Sequence, residues 1–93
     1  MKNQADIIKI LIETLSEDEY VIDGKLNKAL LIDHIFLFKE SLILKLLNNK
    51  DLSKFFFKKI GNNYVFDKVL FYQFINNKQL LENSFTKYKK KLV

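Results

Sequence analysis

Two short stretches of this chain carry the same apolar stripe. Ile7, Ile8, Leu11, Ile12 and Leu15 form the first, and Leu42, Ile43, Leu46 and Leu47 repeat its spacing. Apolar residues at i, i+1, i+4 and i+5 share one face of a helix, whereas a strand would scatter them over both faces. Each stripe is cut short by polar residues, Ser16-Glu17-Asp18-Glu19 after the first and Asn48-Asn49-Lys50 after the second. Short one-sided helices can bury their stripes only against one another. The 93 residues, 48% of them apolar, suffice for one modest core, so residues 1–93 are expected to form a single domain.

The remaining segments fit between these helices. Tyr20-Val21-Ile22 followed by Asp23-Gly24 suggests a short extended piece and a turn. Ala29, Leu30, Ile32, Ile35 and Phe36 suit a further helix, either separate from or continuous with the one over Lys39 to Asn48. Asp51 is placed to cap a short helix through Phe55 and Phe56. β-prone pieces on either side of Gly61-Asn62-Asn63 predict a small hairpin. Asp67 then caps a helix that runs through Phe74 and Ile75 to Asn76-Asn77, with Phe66 and Phe71 spaced as a hydrophobic staple. Leu81, Phe85, Tyr88 and Leu92 fit a last helix, with Ser84 as its cap. The expected fold is mainly α: a small multi-helix domain with one or two short β-hairpin excursions.

Charge is uneven along the chain. Residues 1–33 carry −3 and residues 34–93 carry +8, for a net charge of +5. A basic half attracts phosphate. All sixteen positive residues are Lys and none is Arg, which favours backbone contact over direct base reading. The candidate phosphate contacts are Lys58, Lys59 and the tail lysines Lys87, Lys89, Lys90 and Lys91; a solvated helix face is the simpler explanation of the tail lysines and needs no function. Phe55-Phe56-Phe57 is core filler, a base-stacking platform, or partly a partner surface, because three adjacent Phe cannot all face one way on a helix.

Catalytic, cofactor-binding and metal-ligating residues are not expected. The chain has no Cys and one His, His34, for which Asp33 and Asp67 are the candidate orienting acids. Glu17, Asp18, Glu19 and Asp23 lack the spacing of a calcium loop and are expected to be a solvated acidic loop. No serine lies in a glycine-flanked elbow. Gly24 and Gly61 are too far apart to build a phosphate-cradling loop. The longest run free of Lys, Asp and Glu, Val69 to Asn77, is far short of the roughly 20 residues a membrane span needs. Neither a signal peptide nor a membrane contact is expected.

From Phe55 onward a more specific pattern emerges. Phe56-Phe57, Gly61-Asn62-Asn63, Val65-Phe66-Asp67-Lys68, the aromatic run Phe71-Tyr72-Phe74-Ile75, Asn77-Lys78 and Ser84-Phe85-Thr86-Lys87-Tyr88-Lys89 follow in order. This succession resembles the N-terminal region of type III restriction–modification DNA adenine methyltransferases, the modification subunits. The residues before Asp51 are compatible with that family but carry no distinctive motif. The resemblance implies a bacterial, cytoplasmic system in which S-adenosylmethionine donates a methyl group to the exocyclic amine of adenine. That chemistry needs an Asp-Pro-Pro-Tyr-type motif for the flipped base and a Phe-x-Gly-x-Gly-type cofactor loop. The sequence contains no Pro and only two separated glycines, so it carries neither.

The family pattern would lead into a catalytic domain where this chain reads Lys90-Lys91-Leu92-Val93. The expectation is therefore an excised domain, a frameshifted product or a free-standing relative, inactive by itself. Its expected contacts are a catalytic domain, a second modification subunit, the restriction subunit or DNA backbone. The competing expectations are a small free-standing nucleic-acid-binding protein and an unrelated protein-interaction module.

Overall fold

The computed structural model describes residues 3–86. The first stripe forms α1 (Gln4–Thr14), started by Asn3, whose side chain accepts a hydrogen bond from the Asp6 N–H at 2.9 Å. Its apolar face buries Ile7, Ile8 and Leu11, with Leu15 at the cap. The acidic loop follows. Strands β1 (Val21–Ile22) and β2 (Lys25–Leu26) then pair across Asp23-Gly24, both at positive φ. Two positive-φ central residues match the twist of a two-residue hairpin, and Asp-Gly is a preferred pair for it.

Asn27 caps α2 (Lys28–Phe36) through the Leu30 N–H at 3.2 Å. This helix is apolar nearly all round, so spacing alone does not fix its inner face. Leu31 and Ile35 are buried, while Ala29 and Phe36 of the expected stripe are exposed. Helices α2 and α3 (Glu40–Asn48) are separate. Between them, the Lys39 N–H donates to the His34 carbonyl at 2.9 Å and the Phe38 N–H to the Ile35 carbonyl at 3.1 Å. These two bonds form a Schellman motif, which places Phe38 in the left-handed position normally held by glycine. Its φ is +50°, a conformation that costs an L-residue roughly 1–2 kcal/mol.

The second stripe is α3 as expected, with Leu42 and Leu46 buried. Helix α4 (Lys50–Phe56) starts two residues earlier than expected. Asn49, not Asp51, is its cap and accepts from the N–H groups of both Asp51 and Leu52. Asp51 instead lies in the first turn, where its charge favours the helix dipole. The Asn49 amide also donates to the Thr14 hydroxyl at 3.2 Å, tying this junction to the end of α1.

Strands β3 (Phe57–Ile60) and β4 (Asn63–Phe66) form the second hairpin, closed by Gly61-Asn62. Gly61 alone of the two turn residues has positive φ, +60°, as a type II′ turn requires. Helix α5 (Lys68–Ile75) follows, capped by Asp67 through the Leu70 N–H at 3.0 Å. Phe66 and Phe71 meet with ring centroids 5.7 Å apart, so the expected staple forms.

The last helix expected from Leu81, Phe85, Tyr88 and Leu92 does not form within the described residues. A single 3₁₀ turn, α6 (Glu82–Ser84), leads into extended backbone at Phe85. Phe85 bridges Leu26 in parallel, and the Thr86 N–H donates to the Leu26 carbonyl at 2.9 Å. The open edge of β2 captures this segment, and Leu81 is left exposed rather than seated on an apolar face. Tyr88 and Leu92 lie outside the described residues.

All five longer helices share one core. Leu11, Leu15, Leu26, Leu31, Leu46, Leu52, Phe56 and Phe71 are fully buried in it. Helix α4 packs on α1, α3 and α5, and α2 closes the core against α3 and α5. The architecture is mainly α with two small hairpins, as the sequence patterns predicted.

Candidate functional site

The element with the least structural reason to exist is the β3–β4 hairpin. Its neck is anchored. Phe57 and Phe66 stack edge to face at 5.2 Å, and the Asp67 N–H donates to the Phe56 carbonyl at 2.7 Å. Beyond the neck, residues 58–65 are all exposed. Ile60 and Tyr64 are 61% and 57% exposed despite their apolar bulk. A two-stranded ribbon is marginal in water by itself, and this one buries nothing past its first residue pair.

The pairing register fixes the two faces. Lys58 opposes Val65, Lys59 opposes Tyr64, and Ile60 opposes Asn63. Opposed residues share a face, so Lys59 and Tyr64 extend the face that begins with Phe57 and Phe66. Lys58, Ile60, Asn63 and Val65 occupy the other. Lys58 Nζ sits 3.2 Å from Asp67 Oδ2, so its charge is partly committed within the domain. Among the described residues Lys59 forms no ion pair, and it shares a hairpin face with the exposed Tyr64.

Asp67 serves the hairpin and α5 together. The Leu70 N–H bond first, and the Lys58 ammonium after it, hold its carboxyl below the usual carboxylate range. A lowered folded pKa stabilises the fold fully above the ordinary carboxylate range, and that stabilisation is lost as pH falls through the folded value. Asp67→Ala is expected to cost about 1 kcal/mol at neutral pH through loss of the cap. The difference between parent and variant should shrink on acidification below about pH 4, in denaturant melts at stepped pH.

The other sequence candidates resolve as follows. Phe56 and Phe57 are buried, and Phe55 is half-buried with its ring 4.9 Å from Phe56 and 5.1 Å from Phe74. The triplet is therefore core. The helix-to-strand switch after Phe56 turns Phe57 back toward the core, which leaves Phe55 alone of the three partly at the surface. His34 is oriented by neither Asp33 nor Asp67. Its Nδ1 lies 2.7 Å from the Tyr20 hydroxyl, a hydrogen bond between the two side chains, and burial pushes the Tyr20 pKa up. The acidic loop carries an ion pair between Asp18 and Lys45. No cluster of three or more potential metal ligands occurs among the described residues. Lys87, Lys89, Lys90 and Lys91 lie outside those residues.

A methyl-donor site needs a glycine-lined cradle. Gly24 and Gly61 each close a hairpin turn, and a Cβ built on either meets nothing within 4 Å. Neither therefore belongs to a glycine-rich cofactor loop of the kind the resemblance implies. No helix among them is long and apolar enough to cross a membrane.

The elements from α3 onward, with the hairpin at their centre, coincide with a known sequence family. The family model of the type III restriction/modification enzyme methylation subunit matches residues 39–92, more than half of the chain. The chain belongs to that family. Among curated proteins and solved structures, no significant match was found.

The family match begins at Lys39, the residue that caps α3, and so takes in α3 and α4 ahead of the aromatic motifs. In this methylation-subunit chain, α1, the first hairpin and α2 lie outside the matched segment yet share its core. Sequence reading located Lys58 and Lys59 but missed a second exposed surface. Phe36, Leu37 and Phe38 at the end of α2 gather with Lys68, Val69 and Tyr72 of α5. Only the unbroken apolar run Ile35-Phe36-Leu37-Phe38 hinted at it, since a helix cannot bury four consecutive side chains on one face.

Proposed function

We propose that this chain is a non-catalytic accessory module of a type III methylation subunit, which contacts DNA backbone through the β3–β4 hairpin and packs against other protein parts of the enzyme. The observation that carries the reading is the hairpin itself: an ordered ribbon, exposed on both faces from 58 to 65, that contributes nothing further to the core. A two-stranded ribbon has the width of the DNA major groove. Lys58 and Lys59 supply cations for phosphate, and the all-lysine positive set suits backbone contact rather than base reading. The missing Pro and the isolated glycines support the non-catalytic part, because the family's chemistry needs motifs built from both.

The test is fluorescence anisotropy with a labelled short duplex across a salt series. Binding on the order of 10–100 µM is expected, falling steeply with salt, as non-specific phosphate contact does. The double variant Lys58→Gln/Lys59→Gln should flatten the log–log salt slope by about 1–2. Affinity that is indifferent to salt, or a slope unchanged in the variant, contradicts the hairpin reading.

A further inference from the structure

We infer that the patch formed by Phe36, Leu37, Phe38, Val69 and Tyr72 around Lys68 docks an apolar, carboxylate-bearing segment of a partner protein. The inference rests on the accessory-module reading and names its protein-facing side.

Phe36, Phe38, Lys68 and Tyr72 are in mutual contact, with exposed Leu37 and Val69 next to them in sequence. Phe36 and Tyr72 meet edge to face at 5.5 Å, and Lys68 Nζ lies 5.2 Å from the Phe36 ring centroid and 4.8 Å from that of Phe38. The patch joins the end of α2, the α2–α3 connection and the outer face of α5. Leu37 is 76% exposed, Val69 60% and Phe38 55%. Gathered apolar exposure of this kind marks an interaction surface.

Phe38 gives the strongest sign of selection for something other than folding. It occupies the left-handed Schellman position, where glycine is strain-free. Its ring is not buried in return for that strain. A strained residue that displays an aromatic ring to solvent is characteristic of ligand-contacting segments.

The charge at the centre of the patch selects the partner. Among the described residues, ion pairs join Lys45 to Asp18 and Lys58 to Asp67, and none of their carboxylates lies within 4 Å of the Lys68 ammonium. The Lys68 ammonium is held over two aromatic rings. An apolar partner that covered it without a carboxylate would leave a buried, unpaired cation, so complementarity requires an acidic group opposite it. A stacked nucleobase fits less well. The ammonium takes one face of both Phe rings, and Leu37 and Val69 offer no ring face.

The experiment is an NMR titration of the ¹⁵N-labelled chain with two synthetic amphipathic helical peptides. Both carry a leucine stripe; Glu flanks the stripe in one and Gln in the other. The Glu peptide should bind about tenfold tighter, with amide shifts centred on 36–38 and 68–72. Lys68→Gln should abolish the difference between the peptides. Phe38→Gly should reduce affinity by about tenfold while leaving the melting midpoint equal or higher, because glycine relieves the strain. Equal binding of the two peptides, no binding at millimolar peptide, or shifts confined to other residues would overturn the proposal. So would concentration-dependent self-association through the same amides, or saturable shifts of the patch by decathymidylate. These readouts are separate from the hairpin amides, so failure here leaves the DNA-contact test standing, and the reverse.

Discussion

Phe56→Ala is expected to destabilise the domain by about 3–5 kcal/mol. Phe56 is fully buried at the end of α4, where the chain turns into β3. Its ring meets those of Phe55 at 4.9 Å, Phe71 at 4.9 Å and Phe74 at 5.3 Å. Truncation removes the ring's transfer energy and leaves a void that three other aromatic rings can only partly close. A domain of this size has a total stability of roughly 5–15 kcal/mol, so most of the margin is expected to go. Urea melts followed by circular dichroism check this. A loss below about 1 kcal/mol would mean that the aromatic cluster is not the centre of the core.

Leu11→Asp is expected to be more damaging, at more than about 4 kcal/mol, with the chain largely unfolded at 37 °C. Leu11 is fully buried on the face of α1 that packs against α4. An aspartate there would be a buried carboxylate, and among the described residues no cationic side chain is buried to pair with it. The substitution lies outside the family-matched residues 39–92. Because α1 shares the core of the matched segment, amide signals of β3, β4 and α5 should collapse together with those of α1 in NMR spectra. Retention of a folded 39–86 unit in this variant would show that the first elements are an appendage rather than part of the core.

How much of this was legible in the sequence depends on the range of the interaction. Asp67, Phe66 and Phe71 form a local device, a cap with a staple, and neighbouring residues specify it fully. The stripes of α1 and α3 fixed both their helical state and their buried faces. Helix α2 gave its state but not its face, because Leu30, Leu31, Ile32 and Ile35 leave several apolar faces open. The cap of α4 was assigned to Asp51, whereas Asn49 takes the role and its amide also reaches Thr14, a contact remote in sequence.

The stretch from Leu81 to Phe85 was misassigned for a non-local reason. Its apolar spacing is helical, but the open edge of β2 captures Phe85 and Thr86 across the fold. The sequence candidates for the site divide in the same way. Lys58 and Lys59 were visible as hairpin residues, but their division onto opposite faces depends on register. The Phe36–Tyr72 patch joins two elements remote in sequence, and its strained Phe38 occupies a position that sequence rules reserve for glycine.

The most direct measurement is an amide-resolved NMR titration of the ¹⁵N-labelled chain, first with a short duplex at low salt and then with S-adenosylmethionine. The account predicts duplex-dependent shifts concentrated on 58–65 that reverse on added salt, and no saturable response to the methyl donor. Saturable shifts with S-adenosylmethionine, or duplex-dependent shifts that leave the hairpin untouched, would contradict it.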